Sequence, residues 1–285
     1  MSLEALSQYI ERLNLVSTFT LHSFESLRQF HLQHNLIVPF ENLDIVLGRY
    51  PSLAYTSLLS KLTTGSRGGN CYELNGLLYY TLKENGFQVN LLNARRLSGN
   101  QILPRGHKCI LLHYDGDNYL LDVGYRTGIL EPLPMVFNIA FTQQAETFRL
   151  VQKKEQIILQ KLVLGEWGNL FSFTLDVYLP HDFEPLNFWN ARSPDSVFTN
   201  QVIVSRKTAE GSISVINNIL SEIKYGKKND TQITSAGMLD MILNNCFQIR
   251  LTRPEVTKIF NVATEAAANP NKNLGINSVE KDVQK

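Results

Sequence analysis

Arg67-Gly68-Gly69-Asn70-Cys71-Tyr72-Glu73-Leu74-Asn75 runs into Leu77, Leu78 and Leu82, which recur at helical spacing until Gly86 supplies a stop. The spacing predicts a helix that begins at about Cys71, directly after two glycines able to turn the chain tightly. The thiol then lies in the first helical turn. Unpaired N–H groups and the positive end of the helix dipole favour an anion there, which raises the thiolate population and prepares a nucleophile. A cysteine without such a context is most often a small buried hydrophobe. The glycines and the helix start make Cys71 a candidate for chemistry.

A thiolate nucleophile needs a base, and the base needs an orienting group. His107 opens the apolar run Lys108-Cys109-Ile110-Leu111-Leu112-His113, Asp115-Gly116-Asp117-Asn118 reads as a turn, and Tyr119 to Val123 reads as the returning strand. A two-residue loop at Asp115-Gly116 pairs Tyr114 with Asp117 and places Asp122 diagonally from His107 on the same face. A loop at Gly116-Asp117 keeps that parity, whereas a three-residue loop reverses it. The two-residue loop is favoured, so His107 and Asp122 are expected to hydrogen-bond.

The order of glycine-loop Cys, strand His and strand Asp resembles the arylamine N-acetyltransferases. That family's Arg-Gly-Gly-x-Cys motif with its following Glu and Asn matches Arg67 to Asn75. Its His at the head of an apolar strand matches His107, and its Asp-Val-Gly-aromatic motif matches Asp122, Val123, Gly124 and Tyr125. Val38-Pro39-Phe40-Glu41-Asn42-Leu43-Asp44 resembles a further family block, and Phe198 to Gly211 resembles the family's Ser and Thr-x-x-Gly region. The likeness extends from Met1 to about Leu251. The chain departs from the pattern at Tyr125 and Arg126, where relatives commonly carry Phe and Gly, and at Asn70. The departures at Tyr125 and Arg126 imply a narrower and more polar pocket mouth.

Composition is that of a globular enzyme. The 285 residues are 44% hydrophobic with a net charge of +1, enough for two or three cooperating layers and without the excess charge a polyanionic partner would require. No nucleic acid is expected. The basic groups Arg95, Arg96, Lys224, Lys227 and Lys228 read as solvated surface. Cys71, Cys109 and Cys246 form no C-x-x-C pair, which fits a reducing compartment, with Cys109 and Cys246 as packing residues. The early Glu4 and Glu11 do not resemble a secretory leader, and no apolar run approaches the roughly 20 residues of a membrane span, so no membrane association and a cytoplasmic location are expected.

The fold class expected is α+β. Helical patterns (Leu3, Leu6, Tyr9, Ile10, Leu13; then Leu27, Phe30, Leu32; then the Cys71 helix) give way after Gly86 to short β runs. These are Val89–Leu92, Lys108–Tyr114, Tyr119–Val123, Phe148–Val151, Gln156–Val163, Phe171–Tyr178 and Gln201–Val204. Ile213 to Ile219 reads as strand or short helix, and Met238 to Asn245 and Glu255 to Ala268 read as helices. The family resemblance implies the same order: a helical bundle over 1–86 carrying the nucleophile, an antiparallel β-barrel over 87–195 carrying His and Asp, and an α/β lid over 196–268, around a papain-like Cys/His/Asp core. Residues 269–285 read as a loose polar tail.

By resemblance the reaction is acetyl transfer from acetyl-CoA to an arylamine or arylhydrazine through an acetylated Cys71, with His107 and Asp122 completing the triad and no metal. The same resemblance assigns Phe40, Tyr125 and Phe198 to the acceptor pocket, and Gly124, Arg126 and Thr208 to the cofactor side. Arg67 is expected behind the nucleophile loop against Glu41, with Asp44 near. Glu41 stands in an apolar block and requires a partner if buried. A transglutaminase-like or papain-like hydrolase shares the three residue types, and Gly69-Asn70-Cys71-Tyr72 loosely resembles the papain cysteine region. His107 follows Cys71 by only 36 residues, far closer than in papain. An amide synthase closing an aromatic macrocycle shares the motifs and differs in pocket shape. A non-catalytic module is disfavoured by the intact triad.

Overall fold

The computed structural model describes residues 3–65, 67–98 and 101–269. The chain opens with α1 (Leu3–Arg12), α2 (Phe24–Ile37), the two-residue strand β1 (Phe40–Glu41), α3 (Leu43–Val46) and α4 (Tyr55–Leu59), which passes into a π-helical turn at Ser60–Thr64. Helix α5 (Cys71–Glu84) follows. The next strands are β2 (Gln88–Ser98), β3 (Gln101–Tyr114), β4 (Asp117–Leu121), β5 (Leu133–Pro134), β6 (Phe141–Gln143), β7 (Glu146–Lys153), β8 (Gln156–Val163) and β9 (Glu166–Phe173). They form one antiparallel sheet in the order β5-β4-β3-β2-β9-β8-β7-β6. The sheet curls into a nearly closed barrel. Gln143 on β6 clips the gap near β5, its side-chain oxygen accepting from the Leu130 and Glu131 N–H groups at 2.8 and 3.1 Å.

After a 3₁₀ turn at Pro180–Phe183 come α6 (Glu184–Arg192), α7 (Val197–Asn200), β10 (Ile203–Thr208), β11 (Gly211–Ile216), β12 (Ile219–Lys224), β13 (Lys227–Gln232), α8 (Ala236–Phe247) and α9 (Arg253–Ala268). Strands β10 to β13 form a second antiparallel sheet whose edge strand is β1, so residues 40–41 reach across to a sheet built from the far end of the chain. No described helix is long and apolar enough to cross a membrane.

Strand alternation sorts β3 between two cores. Ile110 and Leu112 pack with α5 and its neighbours, including Leu74, Leu77 and Leu78, whereas Cys109 and Leu111 join the barrel interior with Leu120, Phe148 and Phe171. His107 shares the parity of Cys109 and Leu111. A third core joins Val204 and Val215 to Leu239, Leu243 and Ile259 of α8 and α9.

Several elements differ from expectation. The run expected at Phe171–Tyr178 forms as Glu166–Phe173, because Leu164 and Gly165, both at positive φ, turn the chain early. Tyr178 keeps a single bridge to Leu91. Ile213–Ile219 is strand, broken at Asn217, whose φ is 53°. Strand β13 escapes a hydrophobicity reading because all six of its residues are exposed and polar. Lys224, Lys227 and Lys228 lie exposed on the β12–β13 hairpin, but Arg95 and Arg96 are half-buried in β2, and the Arg95 guanidinium donates to the Leu103 carbonyl.

Candidate active site

The loop before Cys71 lies along β1. Glu41 N–H donates to Gly69 O at 2.9 Å and Gly69 N–H to Pro39 O at 3.3 Å. Neither Gly68 nor Gly69 takes a positive φ, so tight turning is not what demands them. A Cβ on Gly68 would stand 2.0 Å from the Pro39 oxygen, and one on Gly69 would stand 2.8 Å from Glu73 Cβ. The glycines are there for close approach.

Asn70, a departure from the family pattern, is the N-cap of α5. Its side-chain oxygen accepts from Tyr72 N–H at 2.9 Å and Glu73 N–H at 3.3 Å, and Glu73 returns a bond to Asn70 N–H at 2.9 Å. This capping box fixes Cys71 as the first helical residue.

Cys71 is buried, its Sγ 3.9 Å from Gly106 O. On one side the His107 imidazole is near enough to Cys71 for the thiol to act on its charge state. On the other, its Nε2 lies 2.6 Å from Asp122 Oδ2. The hairpin uses the two-residue loop: Tyr114 pairs with Asp117, and Asp115 and Gly116 have φ of 50° and 84°, so Asp122 arrives on the His107 face. The other Asp122 oxygen accepts from Asn75 Nδ2 at 2.9 Å and Gly124 N–H at 2.8 Å. Asn75, one turn beyond Cys71, also donates to Lys108 O at 2.6 Å and accepts from Val123 N–H at 2.9 Å, tying the helix to both strands.

These contacts set the charge state. Burial alone would lower the His107 pKa, but the Asp122 charge and hydrogen bond, with Cys71, raise it to about 10. Burial would raise that of Asp122, but His107 and Asn75 hold it below the ordinary carboxylate range. The site holds a buried imidazolium–carboxylate pair next to a thiol at a helix start. That arrangement can sustain a thiolate and move one proton.

Aromatic residues stand on both flanks. Tyr125 packs edge-on to His107 and against Phe171, each at a centroid distance of 5.0 Å. Phe40, bridged to Gly69, faces Phe198 at 6.1 Å. The Tyr125 hydroxyl does not make the pocket mouth more polar as expected: it turns inward, donates to Leu170 O at 3.0 Å, and burial pushes its pKa up to about 12. Gly124 has a steric role, since a Cβ there would lie 2.7 Å from Cys71 Cα. Half-buried Arg126 is near enough for its charge to act on the Tyr125 phenol. Thr208 stands half-buried at the β10–β11 turn, paired with Gly211.

Behind the loop is a second charged cluster. Arg67 Nη2 lies 2.7 Å from Glu41 Oε1 and 3.2 Å from Asp44 Oδ1. Lys61 Nζ lies 2.7 Å from both Asp44 Oδ2 and Glu73 Oε1. Arg67, Glu41 and Asp44 were expected together; Lys61, on the π-helical turn, was not, and no local pattern marks it. Other polar groups missed in the sequence are His31, Asn35, Lys108 and Lys207, all buried. For α2 a signal existed: His31, His34 and Asn35 share the apolar face of Leu27 and Val38, and buried polar groups need partners. No group of three or more His, Cys, Asp or Glu suited to a metal occurs among the described residues.

The family model described as N-acetyltransferase matches residues 23–256. The chain is 34% identical over 197 residues to a Salmonella typhimurium protein named arylamine N-acetyltransferase / N-hydroxyarylamine O-acetyltransferase, covering 68% of this chain and 70% of that one. It is 31% identical over 216 residues to the arylamine N-acetyltransferase of Escherichia coli, covering 75% and 76%. Among solved structures, the Salmonella typhimurium arylamine N-acetyltransferase superimposes with a TM-score of 0.84 at 29% identity, over 90% of this chain and 98% of that one. The M. smegmatis enzyme superimposes with a TM-score of 0.85 at 27% identity, over 91% and 97%.

Proposed function

Because the chain belongs to the arylamine N-acetyltransferase family and is an acetyltransferase, we propose that it carries acetyl from acetyl-CoA to an aromatic amine through a thioester on Cys71. The observation that supports this most is the buried His107–Asp122 contact of 2.6 Å, with Cys71 near enough to act on the same imidazole.

In the first half-reaction the Cys71 thiolate attacks the donor's thioester carbonyl. The oxyanion is met by the Cys71 N–H, which as the first N–H of α5 has no intrahelical acceptor. The C–S bond to CoA breaks, and the departing thiolate takes the proton of the His107 imidazolium, leaving the imidazole neutral. In the second half-reaction the amine attacks the acetyl-cysteine, its proton passes to His107, and the Cys71–acetyl bond breaks. The ion pair is then restored. Asp122 holds the imidazole with Nε2 toward itself and stabilises its charged form. Phe40, Phe198 and Tyr125 supply apolar faces for an aromatic acceptor.

The two halves separate experimentally. On mixing with acetyl-CoA alone, the peptide containing Cys71 gains the mass of one acetyl group, and adding an arylamine removes it. Cys71→Ser abolishes the adduct and turnover while the fold survives. Near-wild-type turnover in Cys71→Ser, or a wild-type enzyme that never carries acetyl on Cys71, overturns the reading.

A further inference from the structure

Two buried groups take no part in that mechanism: His31 on α2 and Lys207 on β10. Both act on the segment between β4 and β5, which starts at Asp122, carries Gly124, Tyr125 and Arg126, and returns at Ile129 and Leu130. The His31 ring spans its base. Nε2 lies 3.0 Å from Asp122 N, and Nδ1 lies 2.8 Å from Leu130 O. A backbone N–H can only donate and a carbonyl can only accept, so Nε2 is bare and Nδ1 carries the proton. His31 is therefore a neutral imidazole in one tautomer. Burial supports this state, lowering its pKa to about 4.

The ring is fixed in turn from the second sheet. Asn35, four residues along α2, donates to Leu130 O at 3.1 Å, and its oxygen accepts from Lys207 Nζ at 2.9 Å. Lys207 also donates to Ile129 O at 2.6 Å. The charges facing His31 are Asp122 and Lys207, with His34 on its own helix. Those facing Lys207 are Asp122, Glu146 and Lys161. One network from two elements, α2 and β10, thus grips both ends of the segment that carries the orienting carboxylate and the ring set edge-on to His107.

We propose that His31, held by Asn35 and Lys207, is a positioning residue for acetyl transfer: it seats the base of the 122–130 segment so that Asp122 and Tyr125 meet His107. The proposal rests on the triad reading above. Three buried polar side chains cost desolvation that an apolar core would avoid, and the return is a directional clamp on the backbone that bears Asp122. The His107–Asp122 contact is 2.6 Å long. A backbone displacement of about 1 Å is enough to lower a rate by ~100-fold.

The test compares His31→Leu, His31→Gln, Lys207→Met, Lys207→Arg and, as reference, Asp122→Asn, each confirmed as folded by near-ultraviolet circular dichroism. Two readouts are taken: the pH profile of Cys71 alkylation by iodoacetamide, and the single-turnover rate of Cys71 acetylation by acetyl-CoA. His31→Leu slows acetylation by ~100-fold and moves the alkylation profile in the same direction as Asp122→Asn. His31→Gln, which keeps one acceptor and one donor, recovers most of both. Lys207→Met gives a smaller loss of the same sign, which Lys207→Arg restores. Should His31→Leu fail to fold, His31→Gln and the Lys207 pair carry the test. A wild-type profile and rate in His31→Leu and Lys207→Met, with Asp122→Asn altered, overturns the positioning role alone. An unaltered profile in Asp122→Asn overturns the triad reading and this proposal with it.

Discussion

Two charged clusters flank the first turn of α5, and they are built on opposite plans. Behind the loop, Glu41, Asp44 and Glu73 face Arg67 and Lys61 in crossed bonds, with Asp44 touching both cations and Lys61 touching two acids. Each cation there faces two acids at fixed distances. In front, one imidazole lies between one carboxylate and one thiol, and the remaining Asp122 contacts come from neutral donors, Asn75 and the Gly124 N–H. A saturated network holds a shape. A single shared proton can move, because no other fixed cation contacts the Asp122 carboxylate among its described hydrogen bonds. The rear cluster is accordingly read as scaffold and the front pair as chemistry, although both touch the same helix turn.

The largest effect that tests this contrast is Asp122→Asn. Replacing the orienting carboxylate leaves the shape but withdraws the charge that keeps His107 protonated, so turnover with acetyl-CoA and an arylamine falls by about 10⁴-fold, the scale seen when a triad loses its acid. A loss under ~10-fold places the proton transfer elsewhere. The pH dependence of stability gives the sign independently. With its pKa raised to about 10, His107 stabilises the fold fully below its unfolded value of about 6.5 and loses that contribution as pH rises toward 10. Asp122, held low, contributes above the ordinary carboxylate value and loses its contribution as pH falls below it. Melting temperatures measured between these limits should therefore decline on the alkaline side in the wild type and much less in Asp122→Asn.

Glu41→Gln comes next and breaks the other plan. It leaves Arg67, whose side chain is only 12% exposed, without its nearest acid, a change that costs about 3–5 kcal/mol for a buried pair. Denaturant unfolding reports the loss directly. Turnover per folded molecule changes far less than in Asp122→Asn. The reverse pattern, intact stability with turnover lost, would merge the two clusters into one catalytic unit.

The smallest effect belongs to Tyr125→Phe. The hydroxyl meets a backbone carbonyl inside the barrel, so its removal costs about 1 kcal/mol of stability and leaves the KM for carboxylated and uncharged arylamines unchanged. A selective change in KM for polar acceptors would put the hydroxyl in the pocket and restore the expectation drawn from the departure at this position.

The parts of the site that were legible in the sequence are those whose physics is local. Leu74, Leu77, Leu78 and Leu82 recur at helical spacing behind two glycines, so the helix start at Cys71 follows from neighbouring residues. The Asn70–Glu73 box that fixes it joins residues three apart and is equally local, but went unread in the sequence. The two-residue turn at Asp115-Gly116 and the period-two alternation of its strands place His107 and Asp122 on one face without reference to the rest of the molecule. The tertiary structure alone decided what lies around them. Gly68 is required by Pro39, Gly124 by Cys71, and the Tyr125 hydroxyl is taken by Leu170. His31 reaches Asp122 across 91 residues and Lys207 reaches Asn35 across 172. Periodicity records which face of an element is buried, but not which distant group will be buried against it. Polar partners that meet only after three layers pack leave no pattern along the chain, because the cost of leaving them unpaired arises only once the layers exclude water.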